Sequence, residues 1–175
     1  MQGVKCGING VCRGRRGRLG TLTMTATGSD QPVEGRFDGC EHRFPVRVYF
    51  EDTDLSGVVY HANYLRFMER ARSDMLRLAG IDQRAAMEAG EGAYAVSEMT
   101  IKYRRPAKLD DALVVVSRLT RLRAAAVVIH QRVMRGGETL AEADVTAALV
   151  APDGRPKRQP ADWAAAYETL IWNGD

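Results

Sequence analysis

The hydrophobic pattern changes period once along the chain, and that change restricts the fold more than any other feature. Tyr64, Leu65, Met68, Ala71, Met75, Leu78 and Ala79 recur at spacings of three and four, which predicts one apolar face of a helix of about five turns. The helix is expected to open near His61 or Ala62 and to stop at Gly80, a residue type that tolerates the left-handed conformation just past a helix. Residues 82–89 suit a short second helix. Beyond them the period falls to two. Residues 94–103 alternate like a strand and end shortly before Pro106, and 113–122, 124–134 and 140–151 are further β-rich runs, with turns at Gly136-Gly137 and Asp153-Gly154. One long helix followed by four strands on short connections is accounted for by an antiparallel sheet covering a buried helix, an α+β class. Residues 44–50 read as a strand before the helix, with Pro45 near its start, where a missing N–H is tolerated. Residues 160–172 suit a C-terminal helix with Trp163, Tyr167, Leu170 and Ile171 on its apolar face.

With 175 residues, the chain suits one domain with a sizeable core. Its net charge of +3 comes from the leader: residues 1–24 carry Lys5, Arg13, Arg15, Arg16 and Arg18 and no acid, leaving 20 basic against 22 acidic residues elsewhere. The body is therefore not a basic nucleic-acid module. Residues 1–40 show neither helical nor alternating period and are expected to be disordered or to be a start-site artefact, with Met24 as an alternative beginning, rather than a functional basic arm. Cys6, Cys12 and Cys40 have no metal-ligand spacing and read as free thiols of a reducing cytoplasm. No apolar run approaches 18 residues and no apolar core follows the early arginines, so neither a membrane span nor a secretory signal is expected. A P-loop, a dinucleotide glycine fingerprint and a Gly-x-Ser-x-Gly elbow are all missing.

Chemistry is assembled at one place. Between the first strand and the long helix lies Glu51-Asp52-Thr53-Asp54-Leu55-Ser56-Gly57, followed by Val58-Val59-Tyr60-His61. A helix start leaves backbone N–H groups pointing outward, and with the helix dipole they can stabilise a developing oxyanion. Taken singly, these residues have plainer readings. Aspartates before helices are more often caps than catalysts, and a lone histidine there is more often structural. Only the run taken as a whole makes the junction a candidate site.

Asp52, Asp54, Gly57, Val59, Tyr60, His61 and Tyr64 fill D-x-D-x-x-G-x-V-(Y/F)-(H/P)-x-x-Y. This run resembles the hotdog-fold acyl-CoA thioesterases, in the branch of 4-hydroxybenzoyl-CoA thioesterase and the Tol-Pal-associated thioesterase. Met68-Glu69-Arg70-Ala71-Arg72 fits the members with histidine at the His61 position, and a weaker likeness spans residues 44–160. The resemblance implies an antiparallel β-sheet wrapped around one long central helix, over residues 41–160, with 161–175 as a C-terminal helix or tail.

It also implies thioester hydrolysis with Asp54 as the catalytic carboxylate, either as nucleophile or as general base, a choice left open here. The N–H of His61 or a neighbour would be the oxyanion donor, and its imidazole would orient Asp54 or water and protonate the leaving thiolate. Gly57 would allow the tight turn. Tyr60, Tyr64, Glu69 and Arg104 are candidate substrate contacts, Arg104 for the phosphates of coenzyme A. Against these stand plainer roles: core packing for Tyr64, and solvent-facing surface for Glu69 and Arg104. No cofactor or metal is expected, coenzyme A being part of the substrate, and the expected assembly is a homodimer or homotetramer. A hydratase-type hotdog enzyme and a non-catalytic acyl-thioester binder are the alternatives.

Overall fold

The computed structural model describes residues 30–174. Expectations for residues 1–29, with Cys6 and Cys12, lie outside the described residues. Six strands form one antiparallel sheet in the order β1-β2-β4-β5-β6-β3. They are β1 (Arg36–Asp38), β2 (Glu41–Arg47), β3 (Ala93–Tyr103), β4 (Ala112–Leu122), β5 (Ala126–Arg135) and β6 (Glu138–Val150). Helix α1 (His61–Leu78) packs on one face, while α2 (Gln83–Glu88) follows it and α3 (Ala161–Glu168) comes after β6. This is the expected sheet about one long helix.

Three differences from the sequence reading have physical causes. Strand β1 lies inside the stretch expected to lack regular structure, where three residues of Arg-Phe-Asp carry no readable period, and it pairs with β2 through Phe37 opposite His42. The first strand runs Glu41–Arg47 rather than 44–50, because the chain leaves the sheet into a 3-10 turn at Phe50–Asp52. The C-terminal helix stops at Glu168, and Ile171 instead pairs with Leu119 as an isolated bridge.

The buried face of α1 is broader than the apolar stripe predicts. Phe67, Met68 and Ala71 have no solvent exposure, and Tyr64, Met75 and Leu76 are nearly as buried, whereas Leu78 is exposed. Each fully buried large apolar side chain contributes about 1.5–3 kcal/mol. Arg72 and Asp74 are also buried, and each is compensated. Arg72 donates to Gln131 Oε1 (2.6 Å), whose amide donates to the Met68 carbonyl (3.0 Å) and Ser117 Oγ (2.9 Å). Asp74 Oδ2 meets His42 Nε2 (2.8 Å) and accepts the Gly35 N–H (2.9 Å), while Oδ1 pairs with Arg77.

His42 is fully buried, and burial outweighs Asp74 in setting its pKa below the ordinary 6.5. The folded state therefore holds neutral imidazole while the unfolded chain takes up a proton, so this stability is present above pH 6.5 and is lost as pH falls from there through the lowered pKa. Melting temperature is expected to drop as pH is lowered below about 6.5. Replacing His42 with Gln should flatten that part of the profile, and an unchanged slope would show that other groups set it.

Candidate active site

The junction between β2 and α1 is tied down by its own backbone. Val48, fully buried, donates its N–H to the Asp111 carbonyl (3.1 Å), and its carbonyl accepts the Asp110 N–H (3.0 Å). Asp52 then closes the 3-10 turn, its carboxylate accepting the Tyr49 N–H (2.9 Å). The Asp52 carbonyl accepts both the Tyr60 N–H (2.9 Å) and the Asn63 side-chain amide (2.9 Å), which binds the loop to the first turn of α1. Asp52 is thus a structural residue.

Asp54 and Gly57 form the tip. The Asp54 N–H donates to the Val58 carbonyl and the Gly57 N–H to the Asp54 carbonyl, both at 3.0 Å, and Thr53 pairs with Val59 across the turn. Gly57 has φ +75°, a left-handed conformation that a side chain would strain. The return strand is fixed to the β3–β4 connection: Val59 donates to the Ala107 carbonyl (2.8 Å) and Val58 bridges to Lys108. Ala107 in turn donates to the Tyr64 hydroxyl (2.9 Å).

Asp54 is exposed, and it is not a helix cap. The residue before α1 is Tyr60, and no side chain caps that end. Asp54 Oδ1 accepts the Ser56 N–H (2.8 Å) and the Ser56 hydroxyl, and Oδ2 has no partner among the described residues. The Ser56 hydroxyl first, and then its N–H, hold the Asp54 carboxyl below its ordinary 3.8, with a smaller contribution from His61. At neutral pH the group is ionised. Asn63 N–H is taken by the Tyr60 carbonyl (2.8 Å), so the N–H groups left without a partner among the described residues at this end are those of His61 and Ala62.

His61 is exposed, with its ring 4.3 Å from that of Tyr60 and 6.3 Å from Tyr103. A groove beside it is lined by Val59, His61, Tyr64, Tyr103, Arg104 and Pro106. The structure thus brings His61, Tyr64 and Arg104 to one groove, next to the Asp54–Gly57 turn. Tyr64 is only 3% exposed and serves mainly as packing and as the acceptor for Ala107. Tyr60 is half-exposed at the rim. Arg104 is ion-paired with Glu142 at 2.5 Å. Glu69 is not brought to the groove within one chain: it pairs with Arg72 and lines a separate cavity with Leu76, Tyr94 and Tyr167.

Two neighbours escaped the sequence reading. Tyr103 sits at the end of β3 and its hydroxyl donates to the His61 carbonyl (3.0 Å). Its strand register was legible, but not its position against the helix start. Ser56 occupies a variable place in the motif, and only the fold of the turn shows its two bonds. Among the described residues no group of three or more His, Cys, Asp or Glu side chains converges as metal ligands would.

Known proteins resemble this chain over most of its described length. The model of the thioesterase superfamily matches residues 56–142. Acyl-CoA thioester hydrolase YbgC of Escherichia coli O157:H7 is 43% identical over 128 residues, covering 72% of this chain and 95% of the relative. The chain belongs to the thioesterase superfamily. Acyl-CoA thioesterase YbgC of Haemophilus influenzae is 41% identical to this thioesterase over 128 residues, covering 73% of it and 94% of the relative. A probable thioesterase from Bartonella henselae superposes with a TM-score of 0.65 at 40% identity, over 69% of this chain and 99% of that one. The fold of this thioesterase is the hotdog fold.

Proposed function

We propose that this acyl-CoA thioester hydrolase works through Asp54 and the first turn of α1. The observation that carries the reading is an ionised carboxylate in the turn that leads into a helix start, where one carboxylate oxygen and two N–H groups have no partner among the described residues. Asp54 Oδ2 either attacks the thioester carbon, giving an anhydride that water opens, or takes a proton from the attacking water. The carbonyl oxygen accepts from the His61 or Ala62 N–H as charge develops, assisted by the helix dipole. The His61 imidazole passes a proton to the departing thiolate, the water consumed in the reaction replaces that proton on the ring, and Gly57 keeps the turn tight enough for Asp54 to reach the substrate.

All of these groups belong to the protein, which supports a reaction without added cofactor or metal. Tyr60 and the groove beside His61 would hold the thioester end, and Arg104 would exchange Glu142 for a coenzyme A phosphate. The histidine at position 61 and the run from Met68 to Arg72 support the branch of 4-hydroxybenzoyl-CoA thioesterase and the Tol-Pal-associated thioesterase. The eleven-residue edge strand β3, with Val96 half-exposed upon it, supports at least a homodimer, and a pair of such dimers would give a tetramer. Among the described residues no helix is long and apolar enough to cross a membrane. A cytoplasmic location, where the free Cys40 thiol would stay reduced, belongs to the same proposal.

The test is thiol release from a panel of saturated short-, medium- and long-chain and aromatic acyl-CoAs. Release is expected from at least one class. Retention of acyl-CoA without thiol would mark a binder, and conversion of an enoyl-CoA without thiol would mark a hydratase.

A further inference from the structure

An exposed carboxylate turns easily about its last torsion, and its two oxygens are then interchangeable. Here they are not. Both donors of Ser56, the backbone N–H at 2.8 Å and the hydroxyl, meet the same oxygen, Asp54 Oδ1. The turn beneath them is closed independently, by the Gly57 N–H on the Asp54 carbonyl and the Asp54 N–H on the Val58 carbonyl. The hydroxyl is therefore not needed to shape the turn.

We propose that Ser56 is a positioning residue for the Asp54 carboxylate, holding Oδ1 so that Oδ2 alone is presented to the thioester or its attacking water. The inference rests on the reading of Asp54 as the catalytic carboxylate. Fixing one oxygen removes orientations that cannot react, which is where much of the advantage of a bound over a free reagent arises. The same two bonds stabilise the charged form, so the carboxylate stays ionised at a pH below its ordinary range. The other charge bearing on it is His61 of α1. The neighbouring Asp52 is buried and committed to the Tyr49 N–H.

The experiment compares full-length wild type with Ser56→Ala, Ser56→Thr and Asp54→Asn. The Asp54 carboxyl is titrated by carbon NMR, and kcat and KM are measured at neutral pH on an acyl-CoA that the wild type hydrolyses. Ser56→Ala is expected to raise the Asp54 pKa toward the ordinary carboxylate value and to lower kcat about tenfold with little change in KM. Ser56→Thr, which keeps the hydroxyl, is expected to restore both. If Ser56→Ala moves neither while Asp54→Asn is inactive, the positioning role is overturned and the catalytic role of Asp54 stands. If Asp54→Asn keeps full activity, the reading of Asp54 fails and the positioning role falls with it. A role confined to holding the loop would change melting temperature without moving the titration, and would also overturn the proposal.

Discussion

Asp54→Asn is expected to lower thiol release by a hundredfold or more, a rise of roughly 2.7 kcal/mol in the activation barrier. The substitution keeps size and shape. The amide oxygen can still accept from Ser56, and the turn is closed by backbone bonds of Asp54, Val58 and Gly57 that the side chain does not make. What disappears is the negative charge, and with it the group proposed to act as nucleophile or as base. Because Asp54 is exposed and caps no helix, stability should change by no more than about 0.5 kcal/mol. The check is thiol release beside a thermal melt. Equal release by both proteins would leave the reaction in place and remove Asp54 from it.

The largest expected effect on stability comes from the middle of α1. Gln131 accepts from the buried Arg72, and its amide satisfies the Met68 carbonyl and the Ser117 hydroxyl. Gln131→Leu fills much the same volume but strips the guanidinium of its buried acceptor, leaves the Ser117 hydroxyl without a partner among the described residues, and removes the second donor on the Met68 carbonyl, which keeps its bond within the helix. Removing one member of a buried charged network costs about 3–5 kcal/mol, so a loss near 3 kcal/mol is expected even with Glu69 still paired to Arg72. Urea unfolding with an unchanged slope would measure it. A loss under about 1 kcal/mol would mean that water enters and replaces the amide.

How much of this was legible in the sequence depends on how far each residue's role is local. The helix from His61 to Leu78 and the strands after it follow from period alone, since each element carries its own apolar face. Asp54, Gly57 and His61 lie within eight residues of one another, so their meeting at one junction is decided by a short stretch of backbone. Glu69 shows the limit. Two helical turns past His61, it was readable as a groove residue or as surface, and the choice turns on Arg72, a charge that the core accepts because Gln131 arrives from another strand. Arg104 likewise depends on Glu142, which sits on the neighbouring strand β6. Strand β1 escaped because three residues are too few to show a period, and its support is the pairing with β2 rather than its own composition.

The acidic turn and the connection between β3 and β4 are held as one piece, through Val59 and Ala107, Val58 and Lys108, and the Tyr64 hydroxyl on the Ala107 N–H. Asp110, at the far end of that connection, adopts φ +66° and grips Val48 through its N–H. The candidate site and the segment that supports it are therefore one structural unit. An insertion between Tyr103 and Ala112 would displace the carboxylate without touching the motif that names it. Anyone transplanting this centre into a related protein would have to move both segments, and lineages in which one has changed length should carry a matching change in the other.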